Sequence, residues 1–292
     1  MTDTLRGAAL MVLAMACFTI EDALIKALSD HLPPAQIIWM LGVGGAVAFS
    51  AALMATGRPL WSPDYVRRRV LLRSGAEAVG TCFFVTALAL IPLSLASAVI
   101  QATPLVVALG ATLFLGARLG WRRWLAIAAG FGGVLLIVRP GAVGFEPAVL
   151  LAIGGMVGLA ARDLLTRTLP ASVTGSRISL HAFAALVPAG AALQAAQAQA
   201  LVLPDAGEWA LLLACVVIGI GAYLTIVTAT RMGDISVVSS FRYSRMLFAL
   251  VVGAAVFGER PDATTLAGVA IVIGSGTFML LREARVRAAS QP

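Results

Sequence analysis

Charge is scarce in this chain of 292 residues: 12% of positions are Asp, Glu, Lys or Arg, against about 25% in soluble domains, and 60% are hydrophobic, against about 45–50%. That balance excludes a water-soluble globule. Lysine is almost absent, since Lys26 is the one basic residue of 21 that is not arginine, and the 14 acids leave a formal charge of +7. In a soluble protein such an excess points to nucleic acid. Here the arginines sit in short connections between apolar runs, where membrane orientation accounts for them, and no nucleic-acid partner is expected. Histidine occurs twice, as His31 and His181, and cysteine three times, as Cys17, Cys82 and Cys215. The thiols lie dispersed in apolar stretches without a CxxC or a neighbouring histidine. They support neither a disulfide framework nor a metal site, and no cofactor is expected. An integral-membrane enzyme would need His, Asp or Glu clustered at span ends, which this composition does not supply.

What is abundant is apolar length. A hydrocarbon core about 30 Å thick takes about 20 apolar residues of helix, because lipid offers the backbone no hydrogen-bond partner. Polar, Gly and Pro punctuation divides the chain into ten such runs, at 5–28, 35–56, 71–91, 93–115, 121–138, 147–168, 176–196, 208–230, 235–257 and 262–281. The first run continues through Ala23, Leu24 and Ile25, which favours a membrane span over a cleaved signal. With the N-terminus inside, 15 arginines fall on inner segments and Lys26, Arg139 and Arg260 on outer ends, so both termini are expected in the cytoplasm of a bacterial-type inner membrane.

Sliding the chain by 142 residues aligns Val85-Thr86-Ala87 with Val227-Thr228-Ala229, Ser94 with Ser236, Gly116 and Arg118 with Gly258 and Arg260, and Gly132 with Gly274. A shift of 141 aligns Asp22 with Asp163 and Lys26 with Arg167. The chain therefore reads as two halves, 1–140 and 141–292, of five spans each. An odd number of spans per half makes the second copy enter the membrane from the opposite face, which is the inverted repeat of many secondary transporters. The expected fold class is an all-α integral membrane protein of ten transmembrane helices in two inverted five-helix repeats.

The five-plus-five arrangement, the stretch 88–97 leading into a Pro-containing fourth span, and the Phe257-Gly258-Glu259-Arg260 end of span nine resemble the drug/metabolite transporter superfamily, in particular its ten-helix EamA-type members. The resemblance covers essentially the whole chain. It implies a small-molecule transporter with a central cavity, often an exporter of amino acids or related metabolites, sometimes an importer of vitamins or nucleosides. One position departs from it: the family often shows Gly-Glu at the end of span four, whereas Gly116 is followed here by Ala117.

A charge at the membrane centre costs about 2.5–3.5 kcal/mol on insertion scales, so each should face a partner or a water-filled cavity. Arg242 and Arg245 lie three apart on span nine, with Tyr243 beside them, and a rise of about 1.5 Å per residue from Ile235 sets Arg245 roughly 15 Å deep. Arg245 either receives a substrate carboxylate by a bidentate contact or belongs to a fixed internal ion pair. Glu77 reads as the one acid deep enough to be its counter-charge. It is a candidate for a substrate amine or a coupled proton, with Arg73 one turn earlier as a competing local partner. The 142-residue offset places Gln101 opposite Tyr243 and Thr103 opposite Arg245, and Pro104 can kink span four. His181 reads as an interfacial histidine or a titratable gate. Phe18, Trp39, Phe83, Phe84, Tyr223 and Tyr243 could line an apolar cavity or simply pack, and Trp61, Trp121, Trp124 and Trp209 sit near span ends as interface anchors. Glycine runs such as Gly130-Phe131-Gly132-Gly133 suit close helix packing in lipid, not a dinucleotide loop. Spans 121–138 and 262–281 read as scaffold or dimer faces, compatible with a monomer or a homodimer.

These features describe a transporter, not an enzyme. The expected substrate is an amino acid or related zwitterion, exported across the inner membrane by alternating access. Uptake of a vitamin or nucleoside-like compound is the alternative. The candidate substrate residues are Arg245, Tyr243, Glu77, Gln101, Arg242, Tyr223, Phe83, Trp39 and Phe18.

Overall fold

The computed structural model describes residues 3–116, 120–140, 145–170, 173–230, 232 and 235–289, the side chains at 235, 236 and 283–289 excepted. Ala117, Arg118, Arg231, the junction of the two halves after residue 140, and the side chains of Ser236, Arg285 and Arg287 lie outside that set. The described residues fold into α1 (Asp3–Leu28), α2 (Pro34–Ala55), α3 (Arg68–Leu90), α4 (Leu93–Ile100), α5 (Thr103–Leu115), α6 (Trp121–Val138), α7 (Val149–Thr166), α8 (Gly175–Ala196), α9 (Ala206–Ala229), α10 (Ile235–Ser240), α11 (Ser244–Phe257) and α12 (Ala263–Ala289). Among the described residues ten spans are long and apolar enough to cross a membrane, and each begins and ends within three residues of the run read from the sequence. At most 44% of any span is buried inside the protein, so every helix keeps a wide apolar face for lipid.

Two spans are not continuous helices. In span four α4 stops at Ile100 and α5 begins at Thr103. Pro104 has no N–H to offer the Ile100 carbonyl four residues back; the Thr103 hydroxyl donates to that carbonyl instead, at 2.5 Å. The kink expected at Pro104 is thus a break just before it. Span nine breaks at the 3-10 turn Phe241–Tyr243, between α10 and α11. The 142-residue offset carries Gln101 onto Tyr243, so the two breaks occupy repeat-equivalent places although the second has Met246 where the first has Pro104. The spans also end alike: Gly116 and Gly258 take the same left-handed C-cap, with φ of 68° and 66°, a region closed to most side chains. Pro188, by contrast, lies inside an uninterrupted α8.

The chain forms two compact units, each drawing on both sequence halves. One takes the described residues of Met1–Ala23, Ile91–Val149 and Val217–Pro292, the other those of Leu24–Leu90 and Leu150–Val216. Within the first, α6 packs on its repeat mate α12. A Cβ added to Gly133 would lie 2.8 Å from the Gly268 carbonyl oxygen, and one added to Gly268 2.7 Å from that of Gly133. Gly130 faces Ser275 and Gly268 faces Ile137, so the two helices run antiparallel and their glycines are spent on each other. Met11, Ala14, Met15, Ala229 and Val238 make the apolar core between α1, α9 and α10. Within the second unit α2 packs on its mate α8, also antiparallel, with Gly190 against Trp39 and Gly42 against Leu186. There α3 meets α7 backbone to backbone, a Cβ on Gly158 falling 2.6 Å from Gly80 Cα.

Candidate functional site

The first unit brings the two helix breaks together, because α4 packs on α11. Buried Gln101, at the end of α4, donates its amide to the Arg242 carbonyl at 3.2 Å. From α1, Thr19 donates to the Arg245 carbonyl at 3.4 Å while also bonding Met15 O at 2.9 Å. Two other helices therefore hydrogen-bond to backbone carbonyls at and just after the break in span nine. Around this turn the hydroxyls of Ser97, Tyr243 and Ser244 are shielded from water and have no hydrogen-bond partner among the described residues. Tyr243 is buried with its ring against Gly276, a position where any Cβ would overlap the phenol oxygen. Donors and acceptors left unspent in a dry place are costly to the protein alone, and they are what a polar ligand could satisfy.

Arg245 meets Asp22 of α1, Nη2 to Oδ2 at 2.5 Å, with the two side chains 17% and 7% exposed. Its guanidinium also lies over the Phe18 ring, 5.5 Å from the centroid. This corrects the sequence reading, in which Glu77 was the one acid available as counter-charge. The neighbouring carboxylate, Glu21, sits against Gly219 of α9: a Cβ there would stand 2.5 Å from Glu21 Oε1. Asp22, Glu21 and Thr19 were missed as site residues. The signal for the two acids lay in the 141-residue offset, which pairs Glu21-Asp22 with Arg162-Asp163, an intramembrane charged couple at the same place in both halves, while Thr19 carried none.

Glu77 belongs to the second unit. It accepts from Arg73, one turn earlier, and from Arg162 of α7 at 3.1 Å, and Arg162 also meets Asp163 at 2.8 Å. Arg73 reaches Thr166 at 3.3 Å. Two acids and two arginines thus form one ion-pair network, of which the Arg73 contact was anticipated and the Arg162 contact was not. His181 shares a 2.7 Å hydrogen bond with Ser74, and its ring lies 5.2 Å from that of Tyr65. Burial pushes the Tyr65 hydroxyl above the usual phenol range, an effect opposed by Arg177. Trp39 donates to Gln194 at 2.8 Å, and Phe83 covers Gly154. Of the nine candidate substrate residues, Phe18, Gln101, Arg242, Tyr243 and Arg245 adjoin the broken helices, and Tyr223 lies on α9 in the same unit. Trp39, Glu77 and Phe83 lie in the other.

At the span ends of the first unit, Glu259 caps α4. Its carboxylate accepts the backbone N–H groups of Leu93 and Ser94, at 2.5 and 2.9 Å, and the Ser94 hydroxyl at 2.6 Å. Nearby, Asp262 caps α12 through Thr265 N–H at 2.8 Å and pairs with Arg139. Hydrogen bonds from Arg139 and Thr265 hold the Asp262 carboxyl well below the usual carboxylate range. A cleft of about 310 Å³ opens beside these groups, between Ser94, Arg139, Glu146 and Thr265. Its size is at the small end for a ligand site, and Glu259 and Asp262 on its wall already have partners.

Ten apolar spans among the described residues, two of them broken near a buried ion pair and unspent hydroxyls, define a multi-pass membrane protein with the features of a transporter. Known proteins agree. The chain is 29% identical over 287 residues to a riboflavin transporter of Rhizobium johnstonii, covering 96% of this chain and 92% of that one. It is 24% identical to an S-adenosylmethionine uptake transporter of Rickettsia prowazekii, covering 96% and 94%, and 27% identical to the pseudopaline exporter CntI of Pseudomonas aeruginosa, covering 91% and 93%. A solved crystal structure superposes with a TM-score of 0.67 at 21% identity over 98% of this chain and 99% of its own, which supports the fold. The chain belongs to the EamA-like transporter family, whose model matches residues 5–139 and again 146–281.

Proposed function

We propose that this protein is a secondary transporter of the bacterial inner membrane, with both termini cytoplasmic, that carries a small zwitterionic metabolite derived from an amino acid. The halves 1–140 and 141–292 act as inverted repeats whose exchange gives alternating access, a reading supported by the antiparallel packing of α2 on α8 and α6 on α12. The observation that carries the substrate class is the Asp22–Arg245 pair beside two broken helices. A substrate carboxylate takes Arg245 from Asp22, and the substrate ammonium is met by the carboxylates of α1. Gln101 and Tyr243 supply neutral hydrogen bonds at the same turn. S-adenosylmethionine, the cargo named for one relative, has such an amino-acid end.

The test is transport in proteoliposomes of radiolabelled amino acids, S-adenosylmethionine and riboflavin, export being the direction examined first. Arg245→Gln should abolish transport of carboxylate-bearing compounds, and Arg245→Lys, which keeps the charge and loses the fork, should reduce it at least tenfold. Unchanged transport of those compounds by Arg245→Gln would rule out the zwitterion. The second reading, vitamin uptake, is favoured by the riboflavin transporter among the relatives. It predicts riboflavin accumulation that survives Arg245→Gln and depends on Phe18 and Tyr243.

A further inference from the structure

The two charged clusters of this protein are related by the repeat, and they differ in charge. Around Glu77 the described residues balance, with Glu77 and Asp163 facing Arg73 and Arg162. Around Glu21 they do not. Glu21 and Asp22 have Arg245 between them, and its guanidinium is bonded to Asp22.

The offsets give the reason. A shift of 141 carries Glu21 onto Arg162, and a shift of 142 carries Glu77 onto Gly219. The Arg162–Glu77 bond between α7 and α3 therefore has its counterpart in the contact of Glu21 with Gly219 between α1 and α9. One cluster sets a cation against an acid. The other sets an acid against bare backbone, and Glu21 makes no side-chain hydrogen bond or ion pair among the described residues. The charged groups that bear on it are Asp22 from its own helix and Arg245 from α11, and from α9 the backbone of Gly219 lies against it. Lys26, further along α1, gives its ammonium to the Leu88 carbonyl at 3.0 Å.

An extra negative charge in a hydrocarbon layer must be neutralised, and a proton is the smallest group that does it. We propose that Glu21 is the carboxyl group through which this transporter binds and releases a proton during its cycle. With the proton on, Asp22 and Arg245 form a neutral pair beside a neutral acid. With the proton released to water, Glu21 becomes a second claimant for Arg245, and the Asp22–Arg245 bond loosens when the arginine must take a substrate. The coupling role rests on the transporter reading given above; proton exchange at Glu21 can be measured without it.

The experiment is an infrared pH titration of the purified full-length protein in detergent, following the C=O stretch of protonated carboxyl groups. The wild type should show a band that bleaches as pH rises, accounting for one carboxyl group. Glu21→Gln should remove it, Glu21→Asp should shift its frequency and midpoint, and Asp163→Asn should leave it in place. Gly219→Lys, which puts an ammonium where the other cluster has its cation, should also remove it with Glu21 intact. A full band in a folded Glu21→Gln protein, or an unshifted one in Glu21→Asp, would overturn the proposal. Because no transported compound is needed, a protein that titrates as expected yet moves none of the test substrates would count against the zwitterion reading and leave the role of Glu21 as the proton site standing.

Discussion

Removing Asp22 and removing Arg245 should not cost the same. The pair is largely buried, and deleting one partner of a buried pair typically costs about 3–5 kcal/mol, because a charge is left without compensation. Here the two deletions leave different remainders. Arg245→Gln leaves the buried Asp22 carboxylate without its cation, and the neighbouring Glu21 can offer it none, so its cost should fall at the upper part of that range. Asp22→Asn leaves Arg245 within reach of Glu21, which can take over as counter-ion. Its cost should be roughly 1–2 kcal/mol, nearer to that of a single charged hydrogen bond. The double variant, with neutral amides on both sides, should return to within about 1 kcal/mol of the wild type, since isosteric neutral replacement of a buried pair is often tolerated. The assay is denaturant or thermal unfolding of all four proteins in one detergent, read as a double-mutant cycle. Equal losses in the two single variants, or a double variant that loses the sum of both, would refute the reasoning, the first because Glu21 would then be no substitute and the second because the groups would not be coupled.

Three further outcomes follow from particular contacts. Glu77→Gln leaves Arg73 and Arg162 crowded without their shared acid, so it should destabilise by about 3 kcal/mol or more, and adding Arg162→Gln should recover part of that loss in the same unfolding assay. Glu259→Ala strips the N-terminus of α4 of a carboxylate that accepts two backbone N–H groups, and should cost about 2 kcal/mol; Glu259→Gln, which keeps one acceptor oxygen, should cost about half as much. Asp262 is held below the ordinary value of about 3.9 in the folded state, so its contribution is complete above that pH and is lost as pH falls towards the folded value. The wild type should therefore lose stability on acidification relative to Asp262→Asn, and a constant difference between the two proteins across the acid range would contradict the assignment.

The spans were legible because lipid imposes one rule along the whole chain: a helix continues until polar, Gly or Pro residues stop it, and Arg67, Pro92, Gly120 and Asp262 each stand at such a limit. The break in span four was half legible. Pro104 marked it, but its place depends on the Thr103 hydroxyl replacing the missing N–H, a local bond with no periodic signature. The break in span nine carried no proline, and only the repeat pointed to it. Ion-pair partners were least legible. Arg73 and Glu77 are one helical turn apart and could be paired from spacing alone. Arg245 finds its acid 223 residues away, on a helix whose neighbours no hydrophobic pattern specifies.

The repeat also explains why the site could not be read by symmetry. Duplication fixes what the fold needs at both copies, and the paired left-handed glycines Gly116 and Gly258 and the two coincident helix breaks are of that kind. Charges obey a different constraint, because the bilayer demands neutrality of each cluster as a whole and not of each position. One copy could therefore keep Arg162 against Glu77 while the other turned the same two positions into Glu21 and Gly219. The shared backbone holds both clusters at equivalent points of the repeat. The change of side chains at two of those points leaves the Glu77 cluster balanced among the described residues and the Glu21 cluster with one acid more than its cations, and that asymmetry is what the proposed proton exchange at Glu21 draws on.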